Sequence, residues 1–484
     1  MRPMRWLRFA MFASFAACLT AIAAEPARET RLAPAAIASA ERLRDRAVGD
    51  ATAWNLVESL TTEVGPRMAG SEADARAVAW AQAKFKALGY DRVWTQAVTF
   101  PKWLRRSESA RVLGANAQTL AVTALGGSVG GTVQGEVVRF ADLAALEAAG
   151  PGSLSGKLAF IDYRMERKAD GSGYSPASRG RSRGPSAAIR AGAVGYVMRS
   201  VGTDSHRLPH TGNTRYDPGL RPIPAAALAA PDADQLARLI ARGPVRLQLQ
   251  LDCGFEGTAT SYNVIGEVLG SQGLRHGAGA APHDMVLIGG HLDSWDLGTG
   301  AVDDAAGVAI TMAAGHLIAR LPRRQRPARS IRVVAFANEE QGLYGAKAYA
   351  VEHGSGLHRI AAESDFGAGR IYAITGNIPP HAQAAWTAIA GVLAPLGIVA
   401  QPYAGEGGPG PDIGPLAERG AAWASLRQDG RDYFDLHHSA DDTLDKIDPA
   451  ALAQNVAAYA AFAYLAASAE GDFGSTVKAA PTPK

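Results

Sequence analysis

The feature that most constrains the fold is a regular alternation of short apolar runs with longer amphipathic segments after residue 263. The runs at 285–288, 331–336, 360–364 and 421–426 predict buried strands, and the segments at 304–319, 346–353, 382–396 and 449–467 predict helices. Strands that alternate with helices form a largely parallel sheet covered on both faces. The sequence therefore predicts an α/β fold with a mostly parallel central sheet flanked by helices.

Residues 130–252 show a different pattern of apolar and polar residues. Segments such as 132–140 and 157–162 alternate apolar and polar residues, which favours a mostly β module, with a short helix at 187–195 and a mobile loop at 170–185. Because the strand–helix alternation resumes only afterwards, we predict an insertion. The main domain would then comprise residues 25–129, with an N-terminal arm, and 253–470, followed by a tail at 471–484.

The N-terminus has the pattern of a secretory signal peptide. Arg2, Arg5 and Arg8 precede an apolar run that ends at residue 24, and Ala21 and Ala23 offer a small-x-small cleavage site. We therefore expect residues 1–24 to be removed and the protein to be secreted or periplasmic. A lipoprotein signal anchored through Cys18 is the alternative. No later run of about twenty apolar residues predicts a membrane span.

The charge balance argues against nucleic-acid binding. The 484 residues include 49 Lys and Arg against 46 Asp and Glu, a net charge of +3 with the basic residues scattered along the chain. A nucleic-acid interface needs basic residues concentrated on one face. The length is sufficient for two or three domains with substantial cores.

Imidazole and carboxylate side chains follow the predicted strands where each strand ends. They are His291, Asp293 and Asp303 after the first strand, Glu339 and Glu340 after the second, Asp365 after the third, and His437 and His438 beyond the last. Ligands collect at the carboxyl edge of such a sheet. These are zinc-ligand types, and several carboxylates in one pocket need cations to offset their repulsion. Each pattern alone is typical of a loop or a helix start, but together they predict two zinc ions that share an aspartate.

The motifs at these positions resemble those of the co-catalytic zinc aminopeptidases and glutamate carboxypeptidases. They are Gly290-His291-Leu292-Asp293-Ser294, Asp303-Asp304, Asn338-Glu339-Glu340, Glu363-Ser364-Asp365 and the segment from His438 to Thr443. Other marks are similar to the carboxypeptidase Q branch, namely Ser294-Trp295-Asp296, His210-Thr211-Gly212, Gly405-Glu406-Gly407 and His437-His438-Ser439. The insertion resembles the protease-associated domain of the same family.

The resemblance implies a role for each residue. Asp303 would bridge two zinc ions, His291 and Asp365 would complete one ion's ligands, and Glu340 and His438 the other's. A cis peptide would join Asp303 to Asp304, Asp293 would orient the His291 imidazole, and Glu339 would be the general base. His437 would be a wall residue or a substrate contact.

The predicted function is an exported di-zinc exopeptidase that hydrolyses dipeptides or short peptides with metal-activated water and Glu339 as base. The alternatives are an aminopeptidase on longer peptides, an acyl transferase that resembles glutaminyl cyclases and uses a single zinc, and a non-catalytic binding relative. The expected partner is a peptide substrate, and a homodimer is implied only by the resemblance. The end that is recognised stays open, because Glu406 or Asp412 could hold an ammonium group and Arg427 a carboxylate.

Overall fold

The computed structural model describes residues 28–272, 284–354, 357–405 and 407–476. The predicted signal peptide, Cys18, Glu406 and most of the predicted tail lie outside the described residues. The helices are α1 Pro34–Ala47, α2 Thr52–Ser59, α3 Glu72–Ala87, α4 Leu143–Glu147, α5 Tyr174–Arg190, α6 Ala230–Ile240, α7 Ala306–Ala319, α8 Tyr344–His353, α9 Gln383–Leu393, α10 Gly414–Glu418, α11 Tyr433–Leu436 and α12 Pro449–Ser468. The strands are β1 Arg92–Leu113, β2 Gln118–Leu120, β3 Val122–Ala124, β4 Gly131–Phe140, β5 Leu158–Ile161, β6 Gly195–Arg199, β7 Ala225–Leu228, β8 Arg246–Val268, β9 Asp284–His291, β10 Ser330–Phe336, β11 Leu357–Glu363, β12 Ile371–Gly376, β13 Val399–Ala400 and β14 Trp423–Gln428.

The described strands form one sheet in the order β13-β12-β14-β11-β9-β10-β8-β4-β5-β6-β7-β3, with β1 paired to β8 and β2. The neighbours β10, β9, β11 and β14 are parallel, as predicted. They are flanked by antiparallel β8 and β12, so the central sheet is mixed. The carboxyl ends of the four parallel strands therefore lie at one edge.

Helices cover both faces of the central strands, as the alternation predicts. Val286 and Ile288 of β9 pack into the core that contains α7 and α12, whereas Leu287 between them packs into the core with α8. The segment Ala301–Ala319 and helix Pro449–Ser468 have the length and hydropathy of membrane spans, but most of each is buried inside the protein. That burial is typical of core helices.

Strand β1 passes through Pro101 without ending. It runs unbroken over 22 residues beside β8, and its register shifts between Pro101 and Trp103 and again between Arg105 and Ser107. A proline at a register shift bends a strand without ending it. Strand β8 also runs without a break through the predicted boundary between residues 252 and 253.

The inserted module, residues 130–252, is not mostly β, which corrects the prediction. It contains α4, α5 and α6 beside the parallel strands β4, β5, β6 and β7. Helix α5 occupies most of the segment expected to be a mobile loop. Its glycines serve close packing: the Tyr196 hydroxyl donates to the Gly180 carbonyl at 2.8 Å, and a side chain at Gly184 would overlap the Tyr196 ring. Glycine and serine content alone therefore gave the wrong prediction.

Gly184→Ala tests this packing. The added methyl group is expected to lower the free energy of unfolding by about 1–3 kcal/mol, because it overlaps a buried ring. The matched control is Gly391→Ala in α9, where a methyl group meets no atom within 4 Å. That change should raise the free energy of unfolding by about 0.5–1 kcal/mol, because alanine is the better helix former. Urea denaturation measures both, and equal effects of the two substitutions would contradict the account.

Candidate metal centre

The five predicted ligands come together at the carboxyl edge of the parallel strands. His291 is the last residue of β9, and Asp303 lies in the turn Ala301–Ala305 that leads into α7, where its own backbone is not helical. Glu340 follows β10, Asp365 follows β11, and His438 lies just beyond α11. Since β9, β10 and β11 are adjacent and parallel, the segments that follow them lie side by side.

Asp303 contacts two separate groups of donors through its two carboxylate oxygens. On one side, His291 Nε2 lies 3.0 Å from Asp303 Oδ1 and 3.5 Å from Asp365 Oδ1. On the other side, His438 Nε2 lies 3.3 Å from Asp303 Oδ2 and 2.9 Å from Glu340 Oε2. The two carboxylate oxygens of Asp303 thus face different groups of possible ligands. The Asp303–Asp304 peptide is cis, as the resemblance implies.

The donor set fits divalent cations. Within the described chain, the buried atoms Asp303 Oδ2 and Glu340 Oε1 have no hydrogen-bond partner. Burial alone would lower the pKa of His438, but the charges of Glu340 and Asp303 and the hydrogen bonds to them outweigh it and raise that pKa to about 9. The negative charges of Glu340 and Asp303, which favour a proton on His438 Nε2, also favour a metal ion at that nitrogen.

His437 also reaches the group. Its Nε2 lies 3.7 Å from Asp303 Oδ2, and its ring stacks on that of His438 with the centroids 3.5 Å apart. Only His438 of the pair approaches Glu340. Burial, with the neighbouring charge of His438, lowers the pKa of His437 well below its ordinary value, so the ring is neutral. These distances favour His438 as the ligand.

Asp293 organises both the His291 and the Glu339 sides of the centre. Its backbone carbonyl lies 3.0 Å from His291 Nδ1, which must donate to it, so Nε2, on the side of Asp303, is the nitrogen that would bind a metal. Its carboxylate accepts the amide hydrogens of Glu339 at 3.0 Å and Glu340 at 3.4 Å. The orientation of His291 thus comes mainly from the carbonyl of Asp293, while the carboxylate holds the turn that carries Glu339.

Comparisons with known proteins agree with this geometry. Residues 263–463 match Peptidase family M28. Carboxypeptidase Q of Xenopus laevis is 33% identical over 413 residues, which cover 84% of this chain and 84% of that protein. The chain belongs to peptidase family M28. It is a zinc metallopeptidase, and the resemblance inferred from the motifs is confirmed.

Solved structures of M28 peptidases have the same fold. A Peptidase M28 precursor from Shewanella amazonensis is 48% identical, with a TM-score of 0.85 over 93% of this chain and 99% of that one. A zinc aminopeptidase from Bacillus subtilis is 18% identical, with a TM-score of 0.59 over 85% of this chain and 94% of that one, and supports the fold alone.

Two further buried carboxylates, outside the predicted ligand set, support this M28 centre. The Asp442 carboxylate accepts the amide hydrogens of Val302 at 2.6 Å and Asp303 at 3.1 Å, and burial raises its pKa to about 7. Asp304, also buried, accepts the amide hydrogen of His291 at 3.0 Å. In the sequence, the signal for Asp442 is its spacing from His438. The signal for Asp304 is its position next to Asp303.

Arg67 was missed entirely. It is fully buried, and its guanidinium donates to the carbonyls of Leu292 at 2.6 Å, Thr299 at 2.7 Å and Gly300 at 2.9 Å. Arg67 thereby holds both ends of the loop between His291 and Asp303. A single buried arginine follows no periodic pattern, so the sequence contains no signal for it.

Arg67→Met tests this support of the M28 centre. The unfolding free energy should fall by about 3 kcal/mol or more, because three buried carbonyls lose a donor at about 1–3 kcal/mol each. Peptidase activity should fall with it. The control is Arg76→Met on the exposed face of α3, expected within about 0.5 kcal/mol of the wild type. Wild-type stability and activity of Arg67→Met would contradict the assignment.

Proposed function

We propose that this M28 zinc metallopeptidase is an exported di-zinc exopeptidase that hydrolyses dipeptides and short peptides with free ends. The observation that carries the proposal is the position of Asp303, with one oxygen toward His291 and the other toward His438. Asp365 joins the first group and Glu340 the second. A single-zinc acyl transferase would need only one of these groups.

Glu339 is the proposed general base. Bound zinc ions would polarise the scissile carbonyl and acidify a water molecule. Glu339 lines the same cavity as Asp303 and Glu340, and desolvation there, with the charges of Asp365 and Glu340, raises its pKa well above the ordinary value. Its carboxylate would take the proton from the water and deliver it to the leaving amine nitrogen.

Arg181 of the inserted module is the proposed receptor for the substrate's C-terminal carboxylate. It lines the cavity of about 360 Å³ that also contains Glu339 and Glu340. Its guanidinium donates to the Tyr174 hydroxyl and to the Thr211 carbonyl at 3.3 Å, and no described carboxylate lies within 4.0 Å of it. Its buried Nε has no partner within the described residues. A guanidinium with free donors is suited to a carboxylate.

A second cavity beside the centre is lined by acidic residues. A neighbouring pocket of about 230 Å³ shares Asp365 with the first cavity and is also lined by Glu363 and Asp170. Arg427 lines it too, but its guanidinium lies 4.0 Å from Asp170, which offsets its charge. The electrostatics therefore favour an ammonium group on this side, and the substrate's ends would lie on opposite sides of the ligands. A basic group in one cavity and acidic groups in the other suit the two charged ends of a short peptide better than an internal segment of a long chain.

Export and a protease-associated insertion belong to the same proposal. The basic and apolar pattern of residues 1–24 supports export. The inserted module contributes Tyr174, Arg181 and Asn213 to the wall of the catalytic cavity, which supports a role in substrate binding.

Glu339→Gln tests the base. The variant should retain the wild-type zinc content, measured by elemental analysis, because Glu339 is not a ligand. Its kcat should fall by about 10²–10⁴-fold, because glutamine cannot accept the proton. The control is Glu58→Gln on the exposed side of α2, expected to retain full activity. Full turnover by Glu339→Gln would exclude the mechanism.

A panel of one dipeptide, its C-terminal amide and its N-acetyl form tests end recognition. Each block should lower kcat/KM by about 100-fold, because a buried charged group loses its partner at about 2–5 kcal/mol. In Arg181→Met the free acid and the amide should be cleaved equally slowly. Arg183→Met, exposed on the same helix, is the control. Undiminished cleavage of the N-acetyl form would exclude recognition of the amino end, and undiminished cleavage of the amide would exclude recognition by Arg181.

A further inference from the structure

Residues 210–212 of the inserted module, which we call the clamp segment, contact the histidine pair of the metal centre. His210 Nδ1 lies 2.7 Å from the His437 carbonyl, and the Thr211 amide donates to the His438 carbonyl at 2.9 Å. The clamp segment is more than 200 residues away from these histidines in sequence. Both backbone carbonyls of the pair are therefore held by the inserted module.

The His210 ring is itself fixed on several sides. It is buried, its amide donates to the Ser200 hydroxyl at 2.8 Å, and its Nε2 lies 3.0 Å from Asp204 Oδ1. The ring lies against the backbone at Gly202, where an added side chain would come within 2.7 Å of it. One ring nitrogen faces a carbonyl oxygen and the other a carboxylate oxygen, and both of these oxygens are hydrogen-bond acceptors. His210 thus connects Asp204 rigidly to His437.

The Thr211 carbonyl acts on the metal ligand directly. It lies 3.4 Å from His438 Nδ1. A carbonyl only accepts, so Nδ1 donates to it, which leaves Nε2, on the side of Asp303 and Glu340, as the nitrogen that would bind a metal. The backbone of His438 has a φ of 60°, in the left-handed region that is unfavourable for residues other than glycine. The bonds from His210 and Thr211 stabilise this conformation.

The same carbonyl connects the centre to the proposed substrate arginine. Arg181 Nη1 donates to the Thr211 carbonyl at 3.3 Å. The guanidinium lies against Gly212, where any side chain would overlap it. The clamp segment therefore fixes a metal ligand and a substrate-binding group relative to each other.

We propose that the clamp segment is part of the metal centre, with His210 and Thr211 as positioning residues for His438. Zinc affinity on the His438 side of Asp303 then depends on the inserted module, whereas the side with His291 and Asp365 does not. This inference rests on the proposed function only in that the centre binds zinc. It requires no particular substrate.

A zinc titration tests the inference without measuring peptidase activity. The full chain is first freed of metal with a chelator and then titrated with zinc in competition with a chromophoric chelator. His210→Leu should weaken one zinc-binding step by about 10–100-fold, the usual effect of losing a group that orients a ligand. His438→Gln should weaken the same step. His210→Asn should restore most of the affinity, because its amide nitrogen replaces Nδ1 as the donor to the His437 carbonyl. His206→Leu is the control, since His206 contacts Asp441 at 2.9 Å with its side chain 52% exposed.

Several results would overturn the inference. They are unchanged zinc binding by His210→Leu, equal weakening of all steps, or no rescue by His210→Asn. If His210→Leu does not fold, Asp204→Leu frees the ring without altering the clamp segment and should weaken the same step. Failure of the proposed function looks different: the wild type would bind zinc with this dependence on His210 and yet cleave no dipeptide.

Discussion

The structure is organised around an excess of negative charge at one edge of its sheet. The buried carboxylates there are Asp293, Asp303, Asp304, Glu340, Glu363, Asp412 and Asp442. Desolvation raises the pKa of most of them, and both oxygens of Asp412 lack a hydrogen-bond partner within the described residues. Arg67, His291 and His438 supply the nearby positive charge. Divalent cations at Asp303 would offset the negative charge that these groups leave unbalanced.

The fold brings these groups together with two kinds of support. Parallel strands place His291, Glu340 and Asp365 in adjacent segments, and backbone amides held by Asp293, Asp304 and Asp442 fix the segments themselves. The second support comes from the inserted module, through His210, Thr211 and Arg181. The predicted ligands, the proposed base and the proposed substrate-binding groups therefore come from different parts of the chain.

The sequence predicted the features that form a repeating pattern or a cluster of residues along the chain. Alternating strands and helices were visible as periodicity, and the ligands as polar residues at strand ends, so the α/β fold and the residues at the centre were predicted. Helix α5 was missed because its glycines fit against Tyr196, which only the packed structure reveals. Arg67 and Arg181 were missed because their partners, which are backbone carbonyls and one aromatic hydroxyl, form no recognisable pattern in the sequence.

The central claim is that Asp303 bridges two zinc ions. Anomalous X-ray diffraction from crystals grown with zinc, recorded on both sides of the zinc absorption edge, tests it most directly. Two anomalous peaks about 3.5–4 Å apart are expected, one between His291 and Asp365 and the other between His438 and Glu340. The Asp303 carboxylate should contact the ions at both peaks. A single peak, or two peaks that do not share Asp303, would contradict it.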